Sequence, residues 1–316
     1  MKKFDSIPAN YDIDRVNEHV DNNIIKYIKE NEDEYVDNIR EIAQDIVKKE
    51  KNIVVLSGPS SSGKTTTSYK LIDEFEKMSV KAFAISMDNF FIDNDILMEK
   101  GGGKIDFESI DCLELDEIHE KFLSLIQHKK TNLPIFDFTT GKRKDMQQTI
   151  TLGEKDVAIF EGIHALNNLV WEPLPEDKVA KMYISAHSGF YRKDEKILSK
   201  RNVRLLRRMV RDNQFRSCPP ERTIGMWDNV CRGEEVNIWP FHPIADYRLN
   251  TSFPYDVTVL KDTVVSILKD IPKDSDAYVK AKYLLKQLEQ FKPISPELLP
   301  TNALLREFIG KSSYKY

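Results

Sequence analysis

The chain has 316 residues, 41% hydrophobic and 31% charged, and its 47 basic and 51 acidic side chains leave a formal net charge of −4. That length supports one large domain, or one domain with helical additions, around a substantial core, and the balanced charge argues against a general nucleic-acid binder. Cys112, Cys218 and Cys231 form neither an even disulfide set nor a CxxC metal site and read as reduced cytoplasmic thiols, while apolar runs such as 53–56 and 157–160 are too short to span a bilayer.

At the start, Lys2 and Lys3 precede no apolar stretch, so a signal peptide is not expected. Residues 12–50 contain neither Gly nor Pro, and Val16, Val20, Ile24, Ile25 and Ile28 recur at helical spacing, as do Ile39, Ile42 and Ile46. Two helices packed before the main domain are expected, with a solvated arm as the alternative. Short apolar runs at 53–57, 81–86, 157–161, 181–185 and 255–260 read as strands, and helical patterns at 65–77 and 114–127 separate some of them. This alternation predicts an α/β fold of three layers, a parallel sheet with helices on both faces. Residues 132–150, split at Thr140-Gly141-Lys142, predict a projecting β-hairpin. Helices are expected at 277–291 and 301–309, on either side of a Pro-marked loop. The domain reading is a helical N-terminal extension (1–50), a central α/β domain (51–270) and a helical C-terminal extension (271–316).

Gly58-Pro59-Ser60-Ser61-Ser62-Gly63-Lys64-Thr65 follows the first strand and opens a helix, as a P-loop does. Its glycines let successive amides turn toward phosphate oxygens, and the helix N-terminus adds positive potential. Gly58, Ser60, Ser61, Ser62, Gly63, Lys64, Thr65 and Thr66 are therefore the candidate ATP-binding residues, with Lys64 on the β/γ-phosphates and Thr65 on Mg²⁺. Asp88 stands after the second strand, where sheets of this kind bind ligands, and is the candidate general base, with turn formation or metal binding as alternatives. Glu161 ends a buried strand before Gly162, a position suited to a metal-binding acid or to a solvated strand end. The spacing of Arg204, Arg208 and Arg211 puts them on neighbouring parts of one helix face, which could clamp a transferring phosphoryl group or carry surface ion pairs.

Taken together, segments 58–65, 86–91, 133–139, 160–166, 208–216 and 226–240 resemble the uridine kinase/phosphoribulokinase family of P-loop kinases, across about 53–261. The stretch 300–310 is similar to the tail of bacterial uridine-kinase-like proteins. The resemblance implies a P-loop NTPase fold and γ-phosphoryl transfer from ATP, with Mg²⁺, to a small-molecule hydroxyl. The acceptor implied is a nucleoside such as uridine or cytidine. A different alcohol (a sugar phosphate or vitamin precursor) and a non-catalytic nucleotide binder are the alternatives. It also implies Asp88 as base and metal partner, Glu161 in the metal shell, and Arg208, Arg211 and Arg216 as catalytic arginines. Phe136, Asp137 and Arg211, with Asp88, would face the acceptor. Phe136 and Gly141 replace the family's Tyr and His, Phe90-Phe91 replaces Phe-Tyr, and Cys218 replaces a third arginine. Expected partners are small molecules, with no nucleic acid and no membrane; homo-oligomerisation is left open.

Overall fold

A computed structural model describes residues 4–5 and 10–315, so that Lys2 and Lys3 lie outside the described residues. Helices α1 (Ile13–Asn22) and α2 (Ile24–Lys48) come first. The Asp12 side chain caps α1 by accepting from the amides of Asp14 and Arg15. In α2, Ile28, Tyr35, Ile39, Ile42 and Ile46 keep one face apolar and buried. That face packs on α3 (Lys64–Lys77), joining the core under the sheet rather than waving free in solvent.

The sheet is parallel, in the order β5-β4-β1-β3-β2, from β1 (Ile53–Ser57), β2 (Ala82–Ser86), β3 (Val157–Glu161), β4 (Val179–Ser185) and β5 (Tyr247–Asn250). Phe4–Asp5 adds a two-residue pairing beyond β5. Val54 and Leu56 of β1 point into one core and Ile53 and Val55 into the other. A strand covered on both faces needs an unbroken apolar run, which is why Ile-Val-Val-Leu lacks alternation. The expected three-layer α/β P-loop fold is therefore observed. The β1-to-β2 connection runs toward one edge of the sheet and the β3-to-β4 connection toward the other, and the change of direction leaves room for a ligand at the carboxyl ends of the neighbouring strands β1 and β3.

Helix α4 (Leu115–His128) covers one face. The hairpin projects as expected, in two tiers: Lys130–Leu133 pairs with Gln148–Thr151, and Phe136–Asp137 with Lys142–Arg143. Helices α5 (Lys200–Phe215), α6 (Pro220–Asn237), α7 (Asp256–Lys269) and α8 (Tyr278–Leu288) share a further apolar cluster with α1.

Two expectations are corrected. Residues 255–260 form no strand; all but Tyr255 belong to α7, and the fifth strand is Tyr247–Asn250. Val257, Leu260, Val264 and Leu268 recur at spacings of three and four and are buried against α5 and α8, so packing overrides the β-branched composition. The stretch 301–309 is helical only over its last turn, Arg306–Ile309. Among the described residues no helix is long and apolar enough to cross a membrane.

Candidate active site

The P-loop joins β1 to α3 at the carboxyl end of the sheet. A Cβ on Gly58 would stand 2.2 Å from the Ile184 carbonyl oxygen, so only glycine lets the loop run flush against β4. Gly63 closes the loop in the left-handed region at φ +86°. The Lys64 ammonium donates to the Gly58 carbonyl at 3.0 Å, curled over its own loop. Ser61 and Ser62 are buried, and their hydroxyls have no protein partner. Polar groups enclosed without partners mark a cradle built for something polar.

Glu161 ends β3 beside Ser86 of β2, and Thr65 donates to its carboxylate at 3.3 Å. Burial pushes the Glu161 carboxyl up to about 7; Lys64 pulls it down, while the Asp88 and Glu307 charges push it further up. A buried carboxylate with a hydroxyl beside it is a pair of hard oxygen donors. That set fits Mg²⁺, which takes few protein ligands and leans on substrate phosphates. Among the described residues no group of three or more His, Cys, Asp or Glu is arranged to hold a metal.

Asp88 lies in the 3-10 turn Met87–Phe90 directly after β2, its amide donating to the Ser86 hydroxyl at 3.3 Å. The Asp88 side chain is exposed to solvent, yet the protein packed around it raises its carboxyl above the ordinary range, opposed by Lys64, Arg216 and Arg211. These opposing charges place the base candidate, the P-loop lysine and two of the arginines around one space.

The arginines divide in a way the spacing does not show. Arg208 donates to the Ser60 hydroxyl at 2.8 Å and to Asp212 at 3.1 Å. Arg211 holds the other Asp212 oxygen at 2.7 Å, and Arg216 reaches it at 3.8 Å. Arg204 stands apart from the Asp212 group: it is buried against Glu234, with the Trp227 ring 5.6 Å away, while its other end donates to the Ser60 carbonyl at 3.4 Å. Arg207 is fully buried in an ion pair with Asp256 at 2.6 Å and also donates to the Thr251 carbonyl. Asp212 therefore gathers the cleft arginines. Its four-residue spacing from Arg208 and from Arg216 was a legible signal that the sequence reading missed.

On the acceptor side, the Phe136 amide donates to Asn89, and its ring lies 5.7 Å from Phe91 and 5.0 Å from Phe138. Asp137 accepts from the Thr139 amide at 2.9 Å and pairs with Lys144 at 3.6 Å, so its oxygens are engaged inside the hairpin. Glu108 is a second miss. It packs on Gly233 of α6, burial raises its carboxyl, and Arg208 and Lys64 pull it down, which sets a further acid beside the cleft. A pair of acids two apart after Gly101-Gly102-Gly103 was its only trace in the sequence.

Residues 53–176 match the model of the phosphoribulokinase/uridine kinase family. A uridine kinase from Ureaplasma urealyticum serovar 10 is 27% identical over 175 residues, 55% of this chain and 75% of that protein. One from Staphylococcus haemolyticus is 27% identical over 180 residues, 57% of this chain and 77% of that protein. The solved phosphoribulokinase from Rhodobacter spheroides aligns at 16% identity and a TM-score of 0.43, covering 66% of this chain and 74% of that one.

Proposed function

We propose that this chain, whose residues 53–176 belong to the phosphoribulokinase/uridine kinase family, moves the ATP γ-phosphoryl group to a small-molecule hydroxyl, with a pyrimidine nucleoside as the first acceptor class. The observation that carries the reading is the convergence of Lys64, Asp88, Glu161, Arg211 and Arg216 on one cleft at the end of β1. The loop amides and Lys64 bind the phosphates. Bound Mg²⁺, held by Thr65 and Glu161 with Asp88 as a further donor, supplies charge neutralisation at the β/γ oxygens. Asp88 takes the proton of the attacking hydroxyl; its raised affinity for protons brings it nearer the working pH of a base. Arg208, Arg211 and Arg216, released from Asp212 and Ser60, stabilise charge on the transferring group.

A second reading, a different alcohol, is favoured by the hairpin. At Gly141, φ is +67° and an added Cβ would stand 2.1 Å from the Asn94 amide nitrogen. No imidazole stands there, and Phe136 lacks a hydroxyl, so the pocket offers little to read a pyrimidine's polar edge. The Phe91, Phe107, Phe136 and Phe138 rings offer apolar surface instead, and Asp137 is the candidate for a sugar hydroxyl once it leaves Lys144.

The test is an ATP-consumption screen over nucleosides, sugar phosphates and vitamin precursors, run with Mg²⁺ and in excess chelator. Uridine or cytidine turnover that needs the metal and vanishes in a folded Lys64→Ala variant is the expected result. Turnover of another alcohol alone selects the second reading. ATP binding without turnover of any acceptor overturns the transferase.

A further inference from the structure

The far end of the phosphate cradle already holds a protein carboxylate. Thr66 is the third residue of α3, and its amide belongs to the first turn, where helix N–H groups have no partner within the helix. Glu307, 241 residues away in the final helical turn, accepts from that amide at 3.0 Å and from the Thr66 hydroxyl at 2.7 Å, both through Oε2. First-turn amides after a P-loop are the donors that serve the α/β-phosphates. Glu307 therefore offers an anion to a donor that the nucleotide also needs, and its charge is among those raising the Glu161 carboxyl.

The backbone that carries Glu307 cannot withdraw. Leu304, Leu305 and Phe308 are fully buried, and Leu304 lies against Gly63 so closely that a Cβ there would stand 2.7 Å from it. Arg306 pins the turn by donating to the carbonyls of Pro296, at 3.0 Å, and Leu299, at 2.8 Å. Only the Glu307 side chain, which is half-buried, is free to move.

We propose that Glu307 is an affinity-setting residue of the donor site, a resident carboxylate that holds the Thr66 amide in the empty cradle and gives it up to the phosphates of a bound nucleotide. This rests on the nucleotide-binding role of the P-loop proposed above. Without nucleotide, the carboxylate accepts from the Thr66 amide and keeps the helix end ordered. With nucleotide, two anions compete for one positive helix end, and the exchange lowers net affinity.

The experiment is calorimetric binding of ADP and of inorganic tripolyphosphate to the full chain, to Glu307→Gln and to Glu307→Ala, with melting temperatures of all three. Glu307→Gln keeps the size and an acceptor oxygen but removes the charge. The expected result is about tenfold tighter binding of both probes to Glu307→Gln, the scale of one nearby like charge in a partly solvated site. Binding to Glu307→Ala that is also tighter than the parent's, with a lowered melting temperature, supports it too. If the parent binds ADP and Glu307→Gln binds no more tightly, Glu307 is only a helix cap and the proposal fails while the P-loop reading stands. If neither parent nor variants bind either probe, the P-loop reading falls and takes this proposal with it.

Discussion

Asp88 and Glu161 stand at the ends of adjacent strands, and each is asked to be charged in a place that disfavours charge. For Asp88 the consequence is kinetic. Asp88→Asn keeps the size but cannot take a proton, so kcat should fall by about 10²–10⁴-fold while ADP affinity stays near that of the parent. A preserved kcat would sink the base assignment, and a lower melting temperature with normal turnover would make the residue structural. For Glu161 the consequence is thermodynamic. Its carboxyl titrates near 7 in the fold against an ordinary 4.5, so the folded state binds more protons than the unfolded state between these values. Stability in chelator should therefore fall as pH rises from about 4.5 through 7, a loss of roughly 3 kcal/mol once complete. Glu161→Gln removes the penalty: it should be the more stable protein at pH 8, close to the parent at pH 5, and unable to respond to Mg²⁺. Urea midpoints at the two pH values decide this, and a difference that does not change with pH would contradict the buried charge.

Helix α5 shows what an element adds to its residues. Its arginines look alike in sequence, yet Arg204 and Arg207 face inward while Arg208 and Arg211 face the cleft. Arg207 and Asp256 are both fully buried, and they tie α5 to the first turn of α7. Removing one partner strands the other, so Arg207→Met should cost about 3–5 kcal/mol of stability. Arg211→Met should leave the denaturation midpoint close to the parent's and lower kcat by up to about 10³-fold. Equal stability losses in the two variants would remove the division of labour. The P-loop, Asp88 and Glu161 were legible because their spacing is local: each follows an apolar strand in the chain. The fifth strand was not, because Tyr255, Val257 and Val259 carry β-type side chains while the tertiary contacts of α7 decide the outcome. Arg204 does share a face with Arg208, since both reach Ser60, but periodicity gives the angle around a helix and not the burial of Arg204 against Glu234 of the neighbouring α6.

At the scale of the whole molecule, the last segment of the chain lies against the first functional loop. Ala303, Leu304, Leu305 and Phe308 enter the same apolar core as α2, α3 and β1. The Phe308 ring covers the Arg207 guanidinium at 5.3 Å, and Tyr314 stacks on Tyr69 of α3 at 5.2 Å. No short-range pattern announces a contact between Thr66 and Glu307, so the sequence showed a short amphipathic segment without its destination. The packing implies that the P-loop is held from both sides, by β4 at Gly58 and by Leu304 at Gly63. Leu304→Ala opens a cavity beside the left-handed Gly63 and should cost about 2–5 kcal/mol. A loop that must be ordered before it binds phosphate pays that ordering at the moment of binding. The same variant, measured well below its melting temperature, should therefore bind ADP more weakly than the parent, whereas Leu288→Ala, an equally buried change in α8 away from the loop, should lose stability without losing affinity. If Leu304→Ala is destabilised but binds ADP as tightly as the parent, the segment braces the fold alone and the loop needs no support from it.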